Sequence, residues 1–331
     1  PAPTRTLQAA GDAAPAPQVF ACGARAVCRA GVVADAHAHL VKGAQHAARR
    51  AQQLLVCVLR ARRASGGREA RGSQGRACVC VCMCGARAHK GKRVLGARLA
   101  DVHDALDAVA RHEHHHAVLA HLDHVGVRDD GEVFNGADDD GSGTVGVLEI
   151  AEAFNKAVED GYRPQRSIVF LHVTGEEKGL YGSRYYAENP IFPIANTVAD
   201  LNIDMIGRVD DAHKDNENYI YLIGSDKLST ELDSISTAVN NKYMNIDLDY
   251  TYNDENDPNR FYYRSDHYNF AKQGVPIIFY FNGVHADYHK VSDTPDKINY
   301  PMLAKRAQLV FLTAWELANR PDRIVVDKEV K

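Results

Sequence analysis

The chain has 331 residues, of which 45% are apolar, and its formal net charge at neutral pH is −4. This length accommodates one large α/β domain or two smaller ones, with enough apolar residues for a sizeable core. No apolar run approaches the roughly 18 residues that a membrane-spanning helix needs, so none is predicted.

The composition changes abruptly near residue 117. The preceding part carries 18 Lys and Arg against 7 Asp and Glu and holds every cysteine, whereas every Tyr, Ile and Asn comes later. We therefore predict an anomalous Ala-, Arg-, Gly- and Cys-rich segment over 1–116 and a catalytic domain over 117–331. Two interpretations of the first segment stay open: a poorly ordered region, or the product of a shifted reading frame. Because its basic bias lacks interleaved aromatic residues, no nucleic-acid partner is expected.

Strands and helices alternate in the second part. The histidines at 112 and 114–116 come just before it, and we interpret them as a solvated cluster. Apolar runs predict strands over 117–120, 167–173, 198–206, 219–223 and 275–281, and helical spacing predicts helices over 144–158, 179–188, 228–241 and 301–318. This alternation predicts an α/β fold with a mostly parallel mixed sheet sandwiched by helices. Such sheets bind ligands beyond the carboxyl ends of their strands.

Polar side chains gather at those predicted strand ends. They are His121 and Asp123, Glu176 and Glu177, Asp204 and His289, together with Asp138, Asp139 and Asp140 before the first helix. Each taken singly fits a helix cap, a loop histidine or a surface charge. Adjacent carboxylates are costly to bury without a cation, however, and a mixed imidazole and carboxylate set is typical of zinc. The joint placement therefore favours a metal site.

Six segments in this order resemble the bacterial di-zinc aminopeptidases, family twenty-eight of the metallopeptidases, which includes leucyl aminopeptidase and glutamate carboxypeptidase-like zinc exopeptidases. The resemblance covers about residues 117–320, and its most specific segments are the second and third. The segments are HLDHVG (121–126), NGADDDGSGT (135–144), VTGEEKGLYGS (173–183), LNIDMIGR (201–208), RFYYRSDHYNF (260–270) and DYHKVSDTPDKI (287–298).

The resemblance implies two zinc ions per chain. His121 and Asp204 would bind one ion, Glu177 and His289 would bind the other, and Asp139 would bridge them. Asp139 is selected among its neighbours because it lies three residues before the serine of the family's D-x-x-S-G pattern. The peptide bond between Asp139 and Asp140 is expected to be cis.

Supporting and catalytic roles follow from the same resemblance. Asp123 would accept the far N–H of the His121 imidazole, and Asp293 is a further supporting residue. Glu176 would be the general base that takes a proton from a water between the metals, and Tyr262 would stabilise the developing oxyanion. The implied reaction is the release of N-terminal residues from peptides with a free N-terminus.

Three alternatives stay open: a glutaminyl cyclase-like acyltransferase with one zinc, a catalytically inactive binding module, and a defective chimeric product. The resemblance implies one or two strands and a helix before residue 117, where the anomalous segment stands. It also implies an extracytoplasmic or secreted protein. Side-chain preference and oligomeric state stay open.

Overall fold

The computed structural model describes residues 114–329, together with the backbone of Leu54–Leu59 and Cys78–Met83. The strands are β1 (Leu54–Leu59), β2 (Cys78–Met83), β3 (His115–His121), β4 (Ser167–Val173), β5 (Thr197–Ile203), β6 (Tyr219–Ile223), β7 (Asp247–Asp249) and β8 (Ile277–Phe281). The α-helices are α1 (Gly141–Glu159), α2 (Tyr181–Glu188), α3 (Thr230–Val239), α4 (His267–Ala271) and α5 (Tyr300–Asn319).

The strands form a single sheet in the order β2-β1-β4-β3-β5-β8-β6-β7. The four central strands, β4, β3, β5 and β8, run parallel to one another. β6 is antiparallel to β8, and β1 is antiparallel to both β4 and β2. The predicted mostly parallel mixed sheet is therefore confirmed, and its four parallel strands end at a common edge.

Two strands come from the segment that the sequence analysis treats as anomalous. β1 pairs with the outer edge of β4, and β2 pairs with β1. The one or two strands that the resemblance implies before residue 117 are thus supplied by these two ranges of the anomalous segment. The remainder of the predicted poorly ordered segment, up to residue 113, lies outside the described residues.

The strand predicted over 117–120 begins two residues earlier, at His115. His115 and His116 are 1% and 0% exposed, so the prediction of a solvated histidine cluster is wrong for both. The reason is their position in a central strand that is covered on both faces. The His115 ring packs edge-on against Phe192, and its Nε2 lies 2.9 Å from the hydroxyl of Thr197.

Helices cover both faces of the sheet, as predicted. On one face, apolar side chains of α1, α3 and α5 pack on the strands, with Phe154 of α1 between Phe170 and Phe311. On the other face, Tyr186 of α2 stacks on Phe270 of α4 over a second apolar cluster. Among the helices described, none combines the length and apolar character needed to cross a membrane.

Candidate metal centre and active site

The predicted site residues converge at the carboxyl ends of the four parallel strands. His121 is the last residue of β3, and Asp204 follows β5 directly. Glu176 and Glu177 lie in the loop between β4 and α2, and His289 lies in the loop after β8. The backbone of His289 has a φ of 55°, which is rare for a residue with a side chain. Its imidazole is thereby turned towards the carboxylates.

The three consecutive aspartates have separate roles. Asp140 is the N-cap of α1 and accepts from the N–H groups of Gly143, Met205 and His121. Asp138 accepts from the N–H of Gly207 at 2.7 Å. Only Asp139 directs its carboxylate into the site, and the peptide bond that joins Asp139 to Asp140 is cis, as the resemblance implies.

The carboxylate of Asp139 faces two groups of side chains, one with each oxygen. Its Oδ1 lies 3.4 Å from Nε2 of His121, and the same nitrogen lies 3.6 Å from Oδ1 of Asp204. Its Oδ2 lies 3.0 Å from Nε2 of His289, and that nitrogen lies 3.1 Å from Oε2 of Glu177. We call the first group, His121, Asp139 and Asp204, position A. We call the second, Asp139, Glu177 and His289, position B.

These separations fit zinc. Ligand atoms about 2.0–2.2 Å from a tetrahedral zinc ion lie about 3.4 Å from one another, which is close to the distances in both positions. Three buried atoms, Nε2 of His121, Oδ2 of Asp139 and Oε1 of Glu177, have no hydrogen-bond partner among the described residues. Buried polar atoms are normally satisfied, so these atoms have the arrangement of metal ligands.

The hydrogen bond that orients His121 uses a different atom of Asp123 from the predicted one. Its Nδ1 lies 2.9 Å from the main-chain carbonyl oxygen of Asp123 and 3.8 Å from the Asp123 carboxylate. The carbonyl is therefore the acceptor, and it fixes the tautomer that leaves Nε2 free to bind a metal. The carboxylate instead accepts from the N–H of Glu176 at 3.3 Å, which ties the two loops together.

Asp293 supports the backbone on either side of the Asp139 carboxylate. Its side chain is fully buried and accepts from the N–H groups of Asp138 and Asp139 at 3.0 and 3.2 Å. These bonds hold the segment that leads into α1. Asp293 thus contacts the main chain of the residue that joins positions A and B.

Burial and neighbouring charges shift the pKa values of several side chains in the site. Burial opposes ionisation of His121, but the carboxylates of Asp204 and Asp139 outweigh it and raise the pKa of His121 well above its usual range. Burial also opposes ionisation of Glu177, yet His124 and His289 lower the pKa of Glu177 to about 2. Burial, reinforced by Asp204, raises the pKa of Glu176 well above its usual range. Of the adjacent pair Glu176 and Glu177, Glu176 is thus the carboxyl that more readily holds a proton.

A cavity of about 30 Å³ opens onto positions A and B. Its polar lining includes the carboxylates of Asp139, Glu176 and Asp204, and its apolar lining includes Phe261, Phe279 and Phe281. The lining thus combines acidic side chains with buried aromatic rings, around a space of about the size of one water molecule.

Two tyrosines, Tyr262 and Tyr288, lie near the site in different positions. Tyr262 lies in a wall of a larger groove, of about 800 Å³, and its ring packs against Tyr263 and His267. Tyr288 lines the cavity itself and stacks on His289 with ring centroids 3.9 Å apart. Burial and the neighbouring carboxylates of Asp139 and Asp204 raise the pKa of Tyr288. The role of Tyr262 stays a prediction, and of these two tyrosines it is Tyr288 that lines the cavity together with the carboxylates.

Two residues of the site are absent from the sequence-based set. Tyr288 directly precedes the predicted ligand His289, and His124 follows His121 by three residues in the HLDH segment. Nδ1 of His124 lies 2.8 Å from Oε1 of Glu177. Proximity to a predicted ligand was the only sequence signal for either residue.

Comparison with known proteins agrees with this arrangement. The model of the Peptidase family M28 matches residues 102–314. The chain is 32% identical over 163 residues to leupeptin-inactivating enzyme 1 of Streptomyces exfoliatus, covering 49% of this chain and 32% of the relative. It is 30% identical over 212 residues to a protein named "Probable leucine aminopeptidase" of Trichophyton verrucosum, covering 61% and 54%. The chain thus spans about half or less of the length of these relatives.

Solved structures share the fold. The LapA aminopeptidase of Legionella pneumophila superposes with a TM-score of 0.51 at 24% identity, covering 63% of this chain and 53% of that one. BSAP, a zinc aminopeptidase from Bacillus subtilis, gives 0.50 at 21% identity, covering 66% and 51%. The match of the family model to most of the chain, on a site with the donors of a metallopeptidase, shows that this protein belongs to Peptidase family M28, a family of zinc peptidases.

Proposed function

We propose that this chain is a two-zinc exopeptidase that releases N-terminal residues from peptides. The observation that carries the proposal is the position of Asp139, whose two carboxylate oxygens face two separate groups of imidazole and carboxylate donors. Residues of both groups would hold metal ions, with one oxygen of Asp139 available to each group, and two such ions would supply the chemistry of hydrolytic two-metal sites. Zinc, when bound there, polarises a carbonyl group and lowers the pKa of water.

Glu176 is the residue that transfers a proton from the attacking water to the leaving amine. It lines the cavity and contributes no atom to the groups of donors at positions A and B. Burial favours the protonated form of Glu176. The positive charge of bound metal would favour the ionised form, which then accepts a proton from the attacking water molecule. The same carboxyl group then delivers the proton to the leaving amine.

The acidic lining of the cavity supports cleavage at the N-terminus. A free α-ammonium group would lie against carboxylates such as Asp204 and Glu176, and an acetylated amine would lose that attraction and bring extra bulk. The aromatic wall of Phe261, Phe279 and Phe281 favours an apolar first residue. We therefore propose peptides that begin with a residue such as leucine or phenylalanine as the substrate class. The names of the aminopeptidase relatives support this reading.

The test combines metal content with hydrolysis. Purified protein is expected to retain about two zinc ions per chain and to release p-nitroaniline from leucine p-nitroanilide, with loss of release on adding a chelator. N-acetyl-leucine p-nitroanilide is the matched control, and its hydrolysis is expected to be at least about 100-fold slower because the cationic end is missing. Equal hydrolysis of both anilides would contradict the N-terminal preference, and folded protein that binds no zinc would contradict the proposed function.

A further inference from the structure

The five donors implied by the family resemblance leave out one buried histidine at the centre of the site. His124 lies three residues beyond His121, outside strand β3, and its side chain is 2% exposed. Its ring is seated against Gly136, where a Cβ atom would lie 2.5 Å from Cγ of the imidazole. Gly136 also has a φ of 59°, so only glycine suits this point of the chain. The ring is thus held in one place by the loop that leads to Asp139.

The Nδ1 atom of His124 faces position B and lies in ion-pair contact with Glu177. Its Nδ1 lies 2.8 Å from Oε1 of Glu177 and 3.7 Å from Oδ2 of Asp139. Despite these distances, Nδ1 of His124, Oε1 of Glu177 and Oδ2 of Asp139 have no partner of hydrogen-bond geometry among the described residues. The three atoms lie within 4.8 Å of one another. Three donor groups gathered this closely have the arrangement of ligands around a common ion.

The distances around position B span the tetrahedral value. Nδ1 of His124 lies 2.8 Å from Oε1 of Glu177 and 3.7 Å from Oδ2 of Asp139. Nε2 of His289 lies 3.1 Å from Oε2 of Glu177 and 3.0 Å from Oδ2 of Asp139. Ligands of a tetrahedral zinc ion lie about 3.4 Å from one another. The rings of His124 and His289 meet edge to face with centroids 5.6 Å apart, so each imidazole approaches the Glu177 carboxylate from its own side. Position A has three donors, which are His121, Asp139 and Asp204.

We propose that His124 is a fourth protein ligand of position B, which makes the two positions unequal. This inference rests on the proposed zinc-peptidase function. With four protein donors, position B has the closed set typical of structural zinc, and with three donors position A keeps the open coordination place typical of catalytic zinc. Position B therefore holds its metal more tightly. Position A loses its metal first under a chelator and is the one open to substrate.

The direct test is the magnetic coupling between metal and nitrogen. The full chain, with ¹⁵N-labelled histidine, is loaded with ¹¹³Cd in place of zinc, and couplings to imidazole nitrogens are measured by NMR. We expect coupled nitrogens from three histidines, His121, His124 and His289, with the assignment made from single variants. His172, whose buried Nε2 is engaged by the carbonyl oxygen of Thr144, is the control that shows none. Coupling from His121 and His289 alone would overturn the proposal.

Metal affinity separates a ligand from a residue that merely orients Glu177. His124→Ala and His124→Asn are compared with the original chain by chelator competition. Asparagine keeps an N–H donor near the carboxylate, so a purely orienting role predicts that His124→Asn retains the tighter of the two affinities. A ligand role predicts that both variants lose more in that affinity than the roughly 10- to 100-fold that the loss of an orienting partner costs. Coupling to His124 in a protein that hydrolyses no aminoacyl anilide would uphold this inference and contradict the proposed function.

Discussion

The hydroxyl of Ser265 donates a hydrogen bond of 2.6 Å to Oδ2 of Asp204. The same hydroxyl accepts from the side-chain amide of Asn202 at 3.0 Å, so its proton is committed to the carboxylate. Because Oδ2 is held in this way, Oδ1 is the oxygen of Asp204 that faces His121 in position A.

Ser265→Ala is expected to lower the zinc affinity of position A by about 10- to 100-fold, since the carboxylate loses the bond that orients it. Position B is expected to keep its affinity. Chelator competition with zinc counting measures both. Ser183→Ala is the matched control, because that buried hydroxyl donates to Asp266 and contacts none of the proposed ligands. An equal loss in the two variants would contradict the role of Ser265.

Glu176→Gln is expected to keep the zinc content of the original chain and to lower kcat by about 10²- to 10⁴-fold, because the amide has the same shape and cannot accept the proton. Metal analysis and leucine p-nitroanilide turnover on one preparation measure the two effects. Simultaneous loss of zinc and activity would assign Glu176 to the metal ligands instead.

Tyr288→Phe is expected to lower kcat by about 10²- to 10³-fold, the usual cost of removing one donor to an oxyanion. Burial and neighbouring carboxylates raise the pKa of Tyr288, so its hydroxyl keeps a proton to donate. Tyr262→Phe, at the residue chosen from the family resemblance, is measured beside it, because Tyr262 lines the neighbouring groove and Tyr288 lines the cavity. Steady-state kinetics on both variants measure the two effects. A larger loss of kcat in Tyr262→Phe than in Tyr288→Phe would instead support the predicted role of Tyr262.

The contribution of two buried histidines to the stability of the metal-free protein is expected to fall as pH drops below about 6.5, the ordinary histidine value. Burial lowers the pKa of His116 to about 3 and that of His172 to about 4. Between these values and 6.5 the unfolded chain binds protons that the folded chain does not. The stabilisation is therefore fully present above pH 6.5 and is lost as pH falls, at about 1.4 kcal/mol per pH unit for each histidine.

Urea unfolding in the presence of a chelator at pH 7, 6 and 5 measures this dependence. His116→Leu removes one of the two groups, so its free energy of unfolding is expected to change less steeply with pH by about 1.4 kcal/mol per unit. Parallel curves for the two proteins would show that His116 does not titrate differently in the folded and unfolded states.

Local pattern was sufficient for the longer elements after residue 117, whereas the short β7 and α4 were not predicted. Strand β4 carries an unbroken apolar run and coincides with its predicted range, and α5 begins at Tyr300 with a proline in its first turn, one residue before its predicted start. Asp139 was identified through the family resemblance, from its place three residues before Ser142 in the D-x-x-S-G pattern, and the hydroxyl of Ser142 bonds to the carbonyl of Asp138 rather than to the site. Information of this kind resides within a few residues of chain.

His124 and Tyr288 depend on contacts that local sequence does not contain. The direction of His124 is set by Gly136 and by Glu177 on another strand's loop, and that of Tyr288 by the unusual backbone of its neighbour. β1 was missed for a different reason: pairing with the exposed edge of β4 stabilises a strand in a segment whose composition is unlike the rest of the chain.

The donors of positions A and B are supplied by the ends of four different strands, and they meet only when those strands lie side by side. An unfolded or misassembled chain therefore brings no comparable set of ligands together, and metal binding is linked to completion of the sheet. The ratio of tightly held metal to polypeptide thus counts the correctly assembled molecules in a preparation, before any substrate has been identified.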